Sequence, residues 1–185
     1  MQTDLLKKQL ERARFERAFQ VAESLALHRA LLTTTELARL NEIVTVNKEK
    51  RSSVFTDPWR HEAVTITLPT GQEKTLTLMI DPILMAREKL HHSTEMAEQG
   101  LKIESGIKIY VELILAHVFK DANRRTASLA SHYFFKRYGV PVSGMDLYQL
   151  GLGDLRQENQ IQSLTEKVCQ MAKFGEKRNL STLSS

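Results

Sequence analysis

The sequence predicts a mainly α-helical domain carrying one β-hairpin. Three observations lead there. Through most of the chain, apolar residues recur every three to five positions, the period of an amphipathic helix. One segment, AVTITLPTGQEKTLTLMID, instead alternates apolar residues with threonines, the period of a strand. The chain also has 185 residues, 42% of them hydrophobic, which suffices to bury a core without cross-links. Its single cysteine, Cys169, can form no disulfide within the chain and reads as a small core residue of a C-terminal helix.

Each element follows from its own pattern. Leu6, Leu10, Phe15, Phe19, Ala22 and Leu25 set the stripe of a first helix over residues 3–28, with Lys7, Lys8, Arg12 and Arg14 between them. Thr33, Thr34 and Thr35 offer N-caps to a second helix through Glu36, Leu37, Leu40 and Ile43. Residues 46–62, polar and holding Pro58 and Trp59, read as a loop. The hairpin spans 63–80, with Val64, Ile66 and Leu68 on one strand, Leu76, Leu78 and Ile80 on the other, and Pro69 to Gln72 as the turn. A lone hairpin is marginal, so it must pack on helices, while its free edges suit an extended peptide from another protein.

Asp81-Pro82 opens a third helix that runs to Gly100. Ile103, Ile107, Val111, Ile114 and Val118, widened by Leu113 and Leu115, make 103–118 the most apolar helix and place it at the centre. Another passes through Ala127, Ala130, Phe134 and Arg137 and stops at Gly139 and Pro141. Two shorter helices are expected over 145–150 and 161–174, and the tail KRNLSTLSS is expected to fray. The resulting plan is an N-terminal helix over 1–32, a core over 33–150, and a C-terminal helix with its tail over 151–185.

Several function classes drop out. No run approaches the roughly 18 apolar residues of a membrane span. The start MQTDLLKKQLERARFERAF mixes acids with its bases and is no signal peptide, so a cytoplasmic setting is expected, or a host cell if the protein is delivered. The net charge of +4 is spread along the chain, so nucleic acid is not expected as the main partner. The paired His91-His92 do not share a helix face and read as surface residues. His28 reads as exposed, His61 as a loop residue and His132 as packed on its own helix.

Residues 117–127, HVFKDANRRTA, concentrate the chemistry between two apolar runs. They fall where the most apolar helix ends and the next begins. Orphan amides at that helix start, with the helix dipole, favour an anion. Arg124 and Arg125 add positive charge where phosphate oxygens would sit. Asp121 offers an oxygen ligand suited to Mg²⁺ shared with a substrate's phosphates. Asn123 can cap the helix and hydrogen-bond a phosphate, and His117 is a candidate general base near neutral pH. Phe119 anchors the loop in the core.

The stretch resembles the active-site motif of the Fic/Doc superfamily, His-x-Phe-x-Asp/Glu-Gly/Ala-Asn-Gly/Lys-Arg, matched by His117, Phe119, Asp121, Ala122, Asn123 and Arg125. The resemblance covers residues 33–150. It implies a Fic-type helical bundle with the hairpin as a flap, and a reaction that moves AMP from ATP to a hydroxyl of a target protein. His117 would deprotonate that hydroxyl, and Asp121 would hold Mg²⁺. Ala122, Asn123, Arg124, Arg125 and the loop amides would surround the phosphates. Val64, Thr65, Ile66, Thr67, Leu76, Thr77 and Leu78 of the flap would dock the target as an added strand, and Arg60 would contact the core.

The chain departs from the usual pattern at two positions. Arg124 stands where AMP-transferring members have glycine, and Ser128 where many have a second arginine. With Ala122, these resemble the Doc branch, a kinase that transfers the terminal phosphate of ATP, and a bulky cation at 124 would crowd the phosphate subsite. The hairpin favours AMP transfer; the kinase, as the toxin of a toxin-antitoxin pair, is the alternative, followed by a basic binding module without catalysis. The inhibitory spacing of many Fic proteins, Ser/Thr-x-x-x-Glu-Gly/Asn, is approached by Thr45 with Glu49 and Thr94 with Glu98, but Lys50 and Gln99 follow them. Regulation is therefore expected, if anywhere, from the N-terminal helix or a separate antitoxin.

Overall fold

The computed structural model describes residues 2–45, 57–77, 79–150 and 153–183. In chain order the elements are α1 (Gln2–Leu27), α2 (Thr34–Thr45), β1 (Val64–Thr67), β2 (Glu73–Leu76), α3 (Pro82–Glu98), α4 (Lys102–Ala116), α5 (Asn123–Arg137), α6 (Gly144–Gln149) and α7 (Glu158–Leu183). Helices pack around α4 and α5. α5 touches α1, α2, α4 and α6, while α4 touches α3, α5 and α7.

The most enclosed helix is α5, not the more apolar α4. Every residue from Thr126 to Phe135 is buried, whereas Leu115 of α4 is 41% exposed. Small residues explain it. Ala127 and Ala130 let neighbours approach, and two of the short polar side chains find partners: Ser128 Oγ donates to the Arg125 carbonyl at 2.7 Å, and Thr126 Oγ1 accepts from Asn41 at 2.9 Å. Gly106 sets the α4–α5 approach, because a Cβ there would lie 2.3 Å from the Phe135 ring.

The hairpin forms in an antiparallel register that pairs Val64 with Leu76 and Thr67 with Glu73. Val64 and Ile66 are half-buried and Thr65 and Thr67 exposed, as the alternation requires. Gly71, at φ +82°, makes the reversal. The second strand is shorter than expected. It ends at Leu76, so exposed Thr77 and Ile80 lie beyond it, and Leu78 lies outside the described residues. Before Val64 the chain leaves the hairpin, and Trp59 bridges to Phe119. Of the expected loop 46–62, residues 46–56 lie outside the described residues.

The C-terminal helix also differs. α7 continues to Leu183 instead of ending at Phe174 before a frayed tail. No proline interrupts it, and Gly175 fits tightly against Pro141, whose carbonyl oxygen would be 2.6 Å from a Cβ there. Cys169 is half-buried rather than a core residue, because Val168 and Ala172 take the inward face. In α1 the inward stripe is Phe15, Ala18, Ala22 and Ala26, with Phe19 and Leu25 at its edge. His28, His91 and His92 are exposed.

Candidate active site

The site is the turn between α4 and α5. Two left-handed residues fold it back: His117 at φ 50°, which ends α4, and Ala122 at φ 57°, which begins α5. A side chain in this region costs about 1–2 kcal/mol, because its Cβ crowds the following carbonyl oxygen. Asn123, buried, holds the turn closed. Its Oδ1 accepts from the Phe119 amide and its Nδ2 donates to the Phe119 carbonyl, both at 2.9 Å. Its side chain therefore clamps the loop and does not cap the helix as expected; Ala122 occupies the N-cap position.

Neighbouring segments brace the turn. Phe119, 1% exposed, stacks on Trp59 with centroids 4.7 Å apart. The backbone of 58–60 pairs with it, Arg60 N–H to the Val118 carbonyl at 2.9 Å and Lys120 N–H to the Pro58 carbonyl at 3.0 Å. The buried Arg60 side chain donates to the Leu76 carbonyl at 2.8 Å, tying the hairpin to the same strap. Asn41 of α2, which sequence reasoning missed, donates to the Asp121 carbonyl and to Thr126 Oγ1, each at 2.9 Å. The one signal for it was an amide on the otherwise apolar stripe of Leu37, Leu40 and Val44.

Two recesses meet here. A polar one of about 290 Å³ is lined by His117, Lys120 through Arg125, and Tyr148. An apolar groove of about 410 Å³ runs between the hairpin (Ile66, Thr67, Leu68, Leu76), α4 (Ile114, Leu115) and the 153–156 segment. His117 borders both. Of the expected docking residues, Ile66, Thr67 and Leu76 line the groove; Val64, Thr65 and Thr77 are not among its walls.

Burial holds the His117 imidazole below its ordinary pKa, and the Arg60 charge acts in the same direction against the opposing pull of Asp121. The ring is thus kept in its neutral, proton-accepting form. The Asp121 carboxylate is 74% exposed and stands 3.9 Å from Arg125, and its Oδ1 accepts the Ala122 amide at 2.5 Å. Arg125 also donates to the Val44 carbonyl at the end of α2, 3.2 Å away. Arg124 turns its guanidinium toward α6, against the Tyr148 ring. The amides of Asn123, Arg124 and Arg125 have no carbonyl four residues back within α5, so the helix start faces the polar recess with unpaired donors.

One carboxylate beside an anion site fits a Mg²⁺ ion shared with phosphates. A site made of protein ligands alone does not fit, since no group of three His, Cys, Asp or Glu side chains comes together among the described residues. No helix among them is long and apolar enough to cross a membrane.

The fold is that of Fic domain proteins. A Fic domain containing signaling protein from Bacteroides thetaiotaomicron matches with a TM-score of 0.68 and 16% identity, over 92% of this chain and 70% of that one. IbpAFic2, in a structure where it is covalently tethered to Cdc42, matches with a TM-score of 0.59 and 16% identity, over 90% of this chain and 57% of that one. This chain thus spans little more than half of the second protein's chain. No protein-family model matches the sequence, and no curated protein does. The fold agrees with the helical bundle and hairpin that the HVFKDANRRTA resemblance implied.

Proposed function

We propose that the protein transfers AMP from ATP to a hydroxyl side chain of a target protein. The observation that carries this reading is the place of His117, on the shared wall of a polar, amide-lined recess and an apolar groove beside the hairpin. A base there reaches a hydroxyl entering from the groove and a phosphate seated at the start of α5. Neutral His117 takes the hydroxyl proton. The freed oxygen attacks the α-phosphorus, the bond to the bridging oxygen of the β-phosphate breaks, and pyrophosphate leaves. The unpaired amides and Arg125 offset the charge on the phosphoryl oxygens. Asp121 would hold Mg²⁺, which supplies further charge neutralisation on the phosphates. The target segment adds to a free edge of the hairpin, and its apolar side chains lie in the groove.

The test is transfer from ATP labelled at the α- or the γ-phosphate, with Mg²⁺ and cell lysate, against a His117→Ala control. Label from the α position alone, lost in the control, is expected. Label from the γ position alone would replace this reading by phosphate transfer, the alternative that Arg124 raises. No His117-dependent label in several lysates would overturn both.

A further inference from the structure

Arg124 is the second residue of α5. A long cation beside the open amides of a helix start is well placed to meet an anion, yet this one is held along the recess wall toward α6. Its guanidinium lies over the Tyr148 ring, 4.7 Å from the centroid. Nη2 donates to the Tyr148 carbonyl at 2.5 Å and to the Leu150 carbonyl at 3.1 Å. Nε reaches the Tyr110 hydroxyl at 3.4 Å. Tyr110 is fully buried in α4, and its hydroxyl lies 3.3 Å from the Leu147 carbonyl of α6.

One side chain thus joins α4, α5 and the end of α6. Its contacts need a flat cation with donors in a fixed fork, which lysine does not have. With the guanidinium so held, about 290 Å³ of polar recess stays open beside it.

We propose that Arg124 is a positioning residue: it latches the first turn of α5 to the end of α6 and thereby holds its guanidinium against the wall of the phosphate recess instead of across it. The latch itself is a matter of packing. Its consequence for nucleotide rests on the reading of that recess as the ATP-phosphate site. On that reading the latch leaves the α-phosphate position free, so a motif with arginine at 124 still supports AMP transfer.

The test uses four full-length proteins: wild type, Arg124→Lys, Tyr148→Leu, and Arg124→Gly combined with Tyr148→Leu. Thermal unfolding without nucleotide comes first. Arg124→Lys is expected to unfold several degrees lower, since an ammonium cannot both stack on Tyr148 and hold two carbonyls. An Arg124→Lys protein as stable as wild type overturns the latch, whatever the nucleotide result.

Mg-ATP affinity by calorimetry and α-label transfer come second. Tyr148→Leu removes the stacking ring and leaves only hydrogen bonds to hold the guanidinium, so the side chain samples the recess more often and transfer is expected to fall severalfold. Removing that guanidinium in the double variant is expected to recover most of the loss. Damage to packing at Tyr148 would not be repaired by a second truncation, so a double variant as poor as Tyr148→Leu overturns the proposal. A wild type that neither binds Mg-ATP nor transfers label sinks the reading of the site, and the unfolding comparison then decides the latch by itself.

Discussion

His117 and Asn123 show two uses of one turn. Burial lowers the His117 pKa from its ordinary 6.5, so the acid limb of a pH–rate profile should fall below pH 6.5. Above that limb the ring is neutral and competent; as pH falls through the depressed value it takes a proton and the rate is lost. An acid limb above 6.5 would contradict the environment described for it. Asn123 works on the backbone. Asn123→Ala leaves two buried groups of Phe119 without partners, an expected loss of about 2–4 kcal/mol, measurable by urea unfolding. Asn123→Asp keeps the acceptor for the Phe119 amide but sets a buried carboxylate oxygen against the Phe119 carbonyl, and should lose at least as much.

The hairpin is held from outside its own strands. Among the described residues β1 and β2 pair only with each other, and a two-stranded ribbon is marginal without such support. Arg60 supplies some, linking the Leu76 carbonyl to the strap that also pairs with Val118. Arg60→Met keeps much of the volume and removes the donors; a stability loss of about 2–3 kcal/mol is expected by urea unfolding. Because the flap would lose its anchor at Leu76, KM for the protein target should rise more than KM for ATP. An equal rise in both would mean that Arg60 serves the loop and not the hairpin.

Across the molecule, α5 carries polar groups through the core, and one of them titrates. Burial, helped by the charge of Lys136, lowers the His132 pKa to about 4, against weaker opposing pulls from Glu23 and Asp146. Nδ1 of His132 lies 3.3 Å from the Gly144 amide, so the neutral ring accepts the bond that seats α6. The folded pKa lies below the unfolded value near 6.5, so the unfolded chain binds this proton first. The contribution is present above pH 6.5 and is lost as pH falls toward 4, amounting to about 3 kcal/mol. Urea unfolding between pH 7 and 4 measures it, and His132→Gln should flatten the slope. An unchanged slope in that variant would assign the acid sensitivity to other groups.

The order of residues alone carries the helical periods, the hairpin alternation and the spacing from His117 to Arg125, because these signals are local. It also carries Phe119 as an anchor, whereas the contact of Arg60 with the core is implied by the family resemblance and not by any local pattern. Contacts between distant segments decided the rest. Asn123 reads as a cap until Phe119 is seen to need both of its amide groups, and Asn41 shows only as an amide on an apolar stripe until α2 meets the turn. The centrality of α5 is hidden because its buried stretch is rich in serine, threonine and alanine, which periodicity does not count as core. β2 ends where the chain before Val64 leaves the hairpin to reach the turn. Arg124 reads as a phosphate ligand by charge and position. Only the packing of α6 shows where its guanidinium goes, since a long side chain is placed by the partners that the fold brings within reach.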